Sequence, residues 1–391
     1  MKRVHVINLE KMGGAEKVFI EYMRSKTQGE DCILCISQHV ADEISKELKS
    51  RDIVFVNRIF SGLSLKYPSF LRKRILPLKI ARQQPDVVVF WDLVPRRFKK
   101  SANYKSFYYD HGASWRYANN DEIMTFFSSI DGAIAVSQAS QRIMQQRFAL
   151  KAPVEIIPNL LTKAVFTPSP DKKPPSRTGV TLGIASRLVS LKGIGVSIMA
   201  VAELRQRGIN ARLKIAGKGT NEEALKALVK KLNIEPYVDF MGFQQSLTDF
   251  YTSIDFYMSM SISESYGLSC ADAINHGVPC IYSLIDGQCE VIENGITGIG
   301  ITPTMAPEEY ESKSGYMVEK PYFSYDPVTD TLVSPKMVDP IICADVIEKN
   351  INTAEYSYYL EKIHNHNKNI AEPVNLSKKI NNHLSYQKKI K

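Results

Sequence analysis

The sequence predicts an α/β chain of two doubly wound, Rossmann-like domains facing a cleft. Short β-branched runs alternate with helix-period segments, the signature of a parallel sheet with crossover helices. The cycle halts at a proline-rich stretch and starts again beyond it. At 391 residues the chain is also too long for one ordinary core.

In the first half, strands are expected at Arg3–Ile7, Cys32–Ile36, Val54–Val56, Val87–Phe90, Ser106–Tyr109, Gly132–Val136 and Val154–Ile157, with a helix at Ala15–Met23 after the loop NLEKMGG. Phe166–Gly179, FTPSPDKKPPSRTG, holds four prolines and no apolar periodicity, so it reads as a linker. The second half offers strands at Val180–Ala185, Ala211–Ala216, Val238–Met241, Phe256–Met260 and Val278–Tyr282. Helices are expected at Gly195–Arg207, Asn221–Leu232 and Gly267–His276. The boundaries are 1–165, a linker at 166–179, a second domain at 180–350, and a helical segment at 351–391. In that last segment Asn352–Lys362 reads as a helix, and Leu376, Ile380 and Leu384 recur every four residues. The latter pattern suits a helix packing back on the body or a basic amphipathic surface helix. Two such halves place a ligand in the cleft, beyond the carboxyl ends of the strands.

Hydrophobic residues make up 44% and charged residues 23%, as in a soluble globular protein. No run is long enough to span a membrane and the N-terminus lacks a signal-peptide core, which predicts a cytosolic chain. The six cysteines form no metal-ligand pattern, and Cys32 and Cys35 are expected as buried thiols on a strand. Charge is unevenly spread. Residues 1–160 carry 25 Lys+Arg against 16 Asp+Glu, whereas the remainder carries 25 of each. Within 66–105 there are eleven basic residues and two acids, a solvated basic face or an attraction to an anionic surface. No nucleic-acid-binding module accompanies the charge, so nucleic acid is not expected as a partner.

Three stretches carry chemistry. Gly13 and Gly14 stand between a strand and a helix, where bare backbone and the helix N-terminus favour an anion. ASRLVSLKG, 185–193, starts where a strand ends and brings Arg187 and Lys192 to the cleft edge, a fork and a point charge suited to a diphosphate. SISESYGLSCADAINHG, 261–277, places Glu264 before a Tyr-Gly pair and Asp272 eight residues on. Ser263 or Ser265 is expected to cap the following helix. On a continuous helix the two carboxylates would stand ~12 Å apart, fit for two ends of one long ligand rather than a shared acid–base pair.

The Glu264-x7-Asp272 spacing, Arg187-Leu-x3-Lys192-Gly193, Gly13-Gly14-Ala15-Glu16, Ile157-Pro158-Asn159 and Asn294-Gly295-x2-Gly298 occur together in order. The chain thereby resembles the retaining glycosyltransferases of family 4, which have the GT-B fold, over roughly residues 1–301. The resemblance implies that Glu264 contacts donor-sugar hydroxyls and that the backbone of Ser265, Tyr266, Gly267 and Leu268 holds sugar and phosphate. It implies that Arg187 and Lys192 bind and stabilise the leaving diphosphate, with Gly13 and Gly14 approaching the same phosphates. His111, in YDHG, falls where such enzymes often place a histidine near donor sugar and acceptor. Asp272 stands where the family usually has Glu for the ribose hydroxyls. Residues 302–340 replace a short connection, and Tyr316, Tyr322, Phe323 and Tyr325 would there form a lid, an acceptor platform or an inert hairpin.

The implied reaction moves a hexosyl or N-acetylhexosaminyl group from a nucleoside-diphosphate sugar, by family habit a UDP-sugar, to a hydroxyl with retention. No Asp-x-Asp occurs, and no metal or other cofactor is expected. The N-terminal half would contact the acceptor, and its basic segment predicts peripheral attachment to the anionic inner face of the cell membrane, with a glycan or glycolipid of surface polysaccharide assembly as acceptor. The competing readings are an inactive sugar-nucleotide-binding subunit, a nucleotide-sugar epimerase and a phosphorylase on the same fold.

Overall fold

The computed structural model describes residues 1–25, 29–48, 51–60, 63–64, 69–159, 174–369 and 376–389. The chain divides into two compact units, one of 1–160 with 374–391 and one of 161–373.

The first unit contains β1 (Lys2–Ile7), α1 (Gly14–Arg24), β2 (Glu30–Cys35), α2 (Asp42–Glu47), β3 (Ile53–Phe55), the short antiparallel pair β4 (Arg58–Phe60) and β5 (Leu63–Ser64), and α3 (Ser69–Arg82). It continues with β6 (Val87–Trp91), β7 (Lys105–Asp110), α4 (Asp121–Ser129), β8 (Gly132–Ala135), α5 (Gln138–Phe148) and β9 (Val154–Ile156). Seven strands form one sheet in the order β3-β2-β1-β6-β7-β8-β9, parallel throughout. Its central strands VHVI, VVVFW and SFYYD are buried on both faces, and helices cover them, which is why they do not alternate apolar with exposed polar residues. Both cysteines of the CILC pair lie on β2 as free thiols, Cys35 buried and Cys32 half-buried.

The second unit contains β10 (Val180–Ala185), α6 (Ile194–Gln206), β11 (Ala211–Ala216), α7 (Glu222–Lys231), β12 (Val238–Gly242), α8 (Thr248–Thr252), β13 (Phe256–Ser259), α9 (Leu268–Asn275), β14 (Cys280–Ser283) and β15 (Gly298–Ile301). After β15 come α10 (Pro307–Ser314), a hairpin of β16 (Ser324–Asp326) and β17 (Thr331–Val333), α11 (Pro340–Asn350) and α12 (Thr353–Asn369). The six-stranded sheet runs β12-β11-β10-β13-β14-β15, all parallel. The chain leaves β10 toward β11 on one side and later returns to β13 on the other, so the strand order reverses at β10/β13. In open α/β sheets ligands bind at such reversals, outside the carboxyl ends. The expected α/β fold of two doubly wound sheets is therefore found.

Of the proline-rich stretch, 166–173 lies outside the described residues, while Ser176 and Gly179 close a turn through reciprocal backbone hydrogen bonds of 2.9 and 3.1 Å. The final helix, α13 (Leu376–Lys389), belongs to the first unit, whereas α12 belongs to the second. Leu376, Ile380 and Leu384 are buried, and Asn381 Oδ1 accepts from Arg3 Nη1 at 2.6 Å and from the Tyr22 hydroxyl at 3.0 Å. Arg3 is itself buried and paired to Asp31 at 2.6 Å, so through Asn381 α13 completes a polar cluster that begins on β1. A buried arginine needs these partners to offset its lost hydration. No described helix is long and apolar enough to cross a membrane.

Candidate functional site

At the carboxyl end of β10 the chain enters residues 186–193, and three hydrogen bonds fix this loop between its neighbours. Leu188 N–H donates to Lys218 C=O at 3.0 Å, Asn221 N–H to Leu188 C=O at 3.0 Å, and Ile262 N–H to Leu191 C=O at 2.9 Å. The loop closes with a 3-10 turn, Ser190–Lys192, and Gly193 at φ 60°. A side chain at 193 would be strained at that φ, and its Cβ would overlap the carbonyl oxygen of Met260. This close approach of the β10 and β13 loops brings Lys192 to Glu264, and the two form an ion pair. Their side chains are 21% and 14% exposed, so the pair is shielded enough to be strong yet open to a ligand. Arg187, in the same loop after β10, is exposed, and its guanidinium holds no carboxylate among the described residues.

Glu264 is not on a helix. It lies in the loop before α9, and only Asp272 is helical, so the ~12 Å helical separation expected from the sequence does not apply. Ser263 and Ser265 do not cap α9 either. Gly267, at φ 99°, is the N-cap, and no side chain fills that position. The left-handed turn carries the chain directly from the loop into the helix, leaving its first-turn N–H groups without a side-chain cap. Tyr266 is buried, which pushes its hydroxyl up to about 12, whereas Ser265, Leu268 and Asp272 are half-buried.

Sequence reasoning missed the turn beneath this loop, residues 286–290. Asp286 is fully buried at φ 50°, and its carboxylate accepts Glu264 N–H at 3.0 Å and Tyr325 N–H at 2.6 Å. Gly287 N–H donates to Glu264 C=O at 3.0 Å. Buried Gln288 accepts from the Ser259 hydroxyl and donates to Ser283 C=O at 3.1 Å. The available signal was DGQ just past a buried strand, since Asp tolerates a left-handed turn better than most residues.

The segment between β15 and α11 packs onto these loops. Glu319 N–H donates to Ser190 Oγ at 3.0 Å, and Ser324 Oγ to Ile262 C=O at 3.0 Å. Tyr325 is buried and Tyr316 shares a 2.6 Å hydroxyl contact with Tyr310, whereas Tyr322 and Phe323 are 56% and 37% exposed.

The remaining expected residues lie at the carboxyl edge of the first unit's sheet. Gly13 is the N-cap of α1, and the carboxylate of Glu16 folds back to 2.7 Å from where a Gly13 Cβ would stand. Gly14 begins the helix. His111 follows β7, and its ring stacks on Trp91 at 5.7 Å and tilts against Tyr109 at 4.3 Å. Part of the residue reaches the surface, but both ring nitrogens are buried, and desolvation pushes the imidazole down to about 3. It is therefore neutral at physiological pH. Beside it, Asp92 accepts His111 N–H at 2.8 Å and Ala113 N–H at 3.0 Å. Burial, then the neighbouring Asp110 charge, raise the Asp92 carboxyl well above the usual carboxylate range. Among the described residues no group of three or more His, Cys, Asp or Glu could hold a metal ion.

Residues 167–324 match the family described as glycosyl transferases group 1. Among curated proteins, the chain is 37% identical over 90 residues to the N-acetyl-alpha-D-glucosaminyl L-malate synthase of Bacillus anthracis, covering 23% of this chain and 24% of that protein. It is 27% identical over 183 residues to the GtfA subunit of the UDP-N-acetylglucosamine–peptide N-acetylglucosaminyltransferase of Streptococcus gordonii, covering 46% and 35%. The matched regions thus span well under two thirds of these relatives' own length. Similar solved structures extend over the whole chain. Anabaena HepE with UDP and glucose has a TM-score of 0.68 at 16% identity, covering 99% of this chain and all of that one. The pneumococcal O-GlcNAc transferase GtfA with UDP and GlcNAc has a TM-score of 0.66 at 13% identity, covering 100% and 99%. Residues 167–324 are thus similar to glycosyl transferases group 1, in a chain whose two sheets have the GT-B fold.

Proposed function

We propose that the protein is a retaining glycosyltransferase that moves a hexosyl or N-acetylhexosaminyl group from a UDP-sugar to a hydroxyl of a membrane-associated glycan or glycolipid. The observation that carries this reading is the Lys192–Glu264 pair, with an exposed Arg187 in the same β10 loop as Lys192, at the β10/β13 reversal. Relatives whose names specify N-acetylglucosaminyl transfer support the sugar class.

In this mechanism Arg187 and Lys192 hold the diphosphate and stabilise the charge that grows on it as the glycosidic bond breaks. Glu264, already oriented by Lys192, accepts hydrogen bonds from donor-sugar hydroxyls, while the backbone of Ser265–Leu268 and the start of α9 meet sugar and phosphate. The leaving phosphate oxygen takes the acceptor proton on the face it vacates, which retains configuration without a protein nucleophile. In the first unit, neutral His111 serves as a hydrogen-bonding group for the acceptor, and Gly13 and Gly14 offer bare backbone to an anion. Asp272 takes the ribose. No step in this mechanism uses a metal or other cofactor.

Titration with UDP and GDP is the test, alongside the Arg187→Ala, Lys192→Ala double variant. UDP binds the native protein, and the double variant binds it about 100-fold more weakly or not at all. Equal binding by both proteins overturns the site assignment. Binding without transfer to any acceptor moves the inactive-subunit reading ahead, and an inverted product anomer overturns retention.

Membrane attachment rests on the basic segment 66–105. The side chains of Arg72, Lys73 and Arg74 lie outside the described residues, and Lys79 is engaged by the carbonyl oxygens of Phe55 and Arg58. Co-sedimentation with anionic vesicles falls when Arg72, Lys73 and Arg74 are replaced by Glu. Unchanged sedimentation removes the membrane from the proposal.

A further inference from the structure

Glu264 is held from two directions. Its carboxylate pairs with Lys192 from the β10 loop, while its own peptide groups are held by the turn after β14. The Glu264 N–H donates to one Asp286 oxygen at 3.0 Å, and its C=O accepts from Gly287 N–H at 3.0 Å. The second Asp286 oxygen takes Tyr325 N–H at 2.6 Å, on the first strand of the hairpin between β15 and α11. A fully buried carboxylate at φ 50° carries both a solvation cost and backbone strain. Two well-formed hydrogen bonds from backbone amides offset them.

We infer that Asp286 is a positioning residue that sets Glu264 against the donor and ties the 302–340 segment to that setting. The inference deepens the proposed donor site and rests on that reading for its catalytic consequence. A shift of the hairpin at Tyr325 is passed through one rigid carboxylate to the peptide of Glu264. Ser324, which donates to Ile262 C=O at 3.0 Å, gives the same two segments a second link. Whatever ligand contacts the exposed Tyr322 and Phe323 acts three and two residues from the Asp286 bond. The hairpin is thus placed to make the donor loop sensitive to a bound acceptor.

The experiment uses the full chain with Asp286→Gly and Asp286→Asn. Glycine suits the observed φ, so the first variant removes both hydrogen bonds while relieving strain. Asparagine keeps the size and leaves one acceptor oxygen for two N–H groups. Hydrogen exchange of the unliganded protein reads the tie directly. Exchange at the Glu264 and Tyr325 amides rises together, at least tenfold, in Asp286→Gly. Unchanged exchange at either amide overturns the tie whether or not the protein turns over a UDP-sugar.

Transfer kinetics then separate positioning from mere structure. Asp286→Gly slows transfer about 100-fold, as a misplaced binding group does. In the double variant with Glu264→Gln the loss is no greater than that of Glu264→Gln alone, because Asp286 acts through Glu264. Losses that multiply show a structural role only and overturn the inference. A native protein that neither binds UDP nor transfers sugar refutes the proposed function, and the exchange result alone then decides the Asp286 tie.

Discussion

At the carboxyl edge of the first sheet, Asp110 and the ring nitrogens of His111 are buried and Asp92 is half-buried, beside Trp91, Tyr108 and Tyr109, and the titratable groups are driven toward their neutral forms. At the corresponding edge of the second sheet, Lys192 and Glu264 face each other as charges, with Arg187 exposed in the same loop as Lys192. Asn120 and Ser137 cap α4 and α5 with side-chain oxygens at 3.0 Å, whereas α6 and α9 start from Gly193 and Gly267, and α1 of the first unit from Gly13, with no side-chain cap. The same architecture thus yields one edge whose titratable groups are held toward neutrality and another that keeps an ion pair and an exposed arginine at its loops. The latter is what an anionic ligand needs.

The largest effect is expected at Gly193. Gly193→Ala forces the β10 and β13 loops apart and costs about 3 kcal/mol or more, read as a fall in the unfolding midpoint and loss of UDP binding. A midpoint within error of the native one would mean that the two loops separate without penalty.

Next comes the acid response of the first edge. The His111 pKa is lowered to about 3, so between that value and the ordinary 6.5 the unfolded chain holds a proton that the folded chain refuses. Stability is complete above 6.5 and declines as pH drops. His111→Phe keeps a stacking ring and removes this share, narrowing the stability loss between pH 7 and pH 5 by about 1–2 kcal/mol. His5, also depressed by burial, retains its own share. An unaltered profile in the variant would mean that His111 titrates normally.

The smallest effects compare the caps. Gly267→Ala has room, since its nearest neighbour is Gln288 Cα at 3.6 Å, so only backbone strain is felt, about 1–2 kcal/mol. Ser137→Ala costs about 1 kcal/mol through the lost cap. UDP affinity separates the two, falling in Gly267→Ala and holding in Ser137→Ala. Equal affinity losses would erase the distinction between the edges.

Much of this was legible in the residues. VTLGIA and ARLKIA were placed at Val180–Ala185 and Ala211–Ala216 because buried parallel strands are short apolar runs bounded by turn residues. The placement of Arg187 and Lys192 after β10 and of Glu264 after β13 was legible, because strand ends are bounded by turn residues. The cap of α9 was misread, because two serines near a helix start look like caps until Gly267 is seen to turn left-handed. DGQ could have announced a turn at Asp286 but not its partners, which are 22 and 39 residues away in sequence. The helix α10, PEEYESKS, has too little apolar periodicity to announce itself, and buried Tyr310 anchors it. The second C-terminal helix was half legible, because apolar spacing marked its buried side but not the Asn381 contact with β1.

That contact has a consequence for synthesis. Asn381 joins Arg3 across 378 residues, and all of the second unit lies between them in the chain. As the protein emerges from the ribosome, β1 and α1 wait with Arg3 and Tyr22 lacking this partner while an entire neighbouring unit is made and can fold. Of the two units, the one whose strands are made earlier is the one completed later.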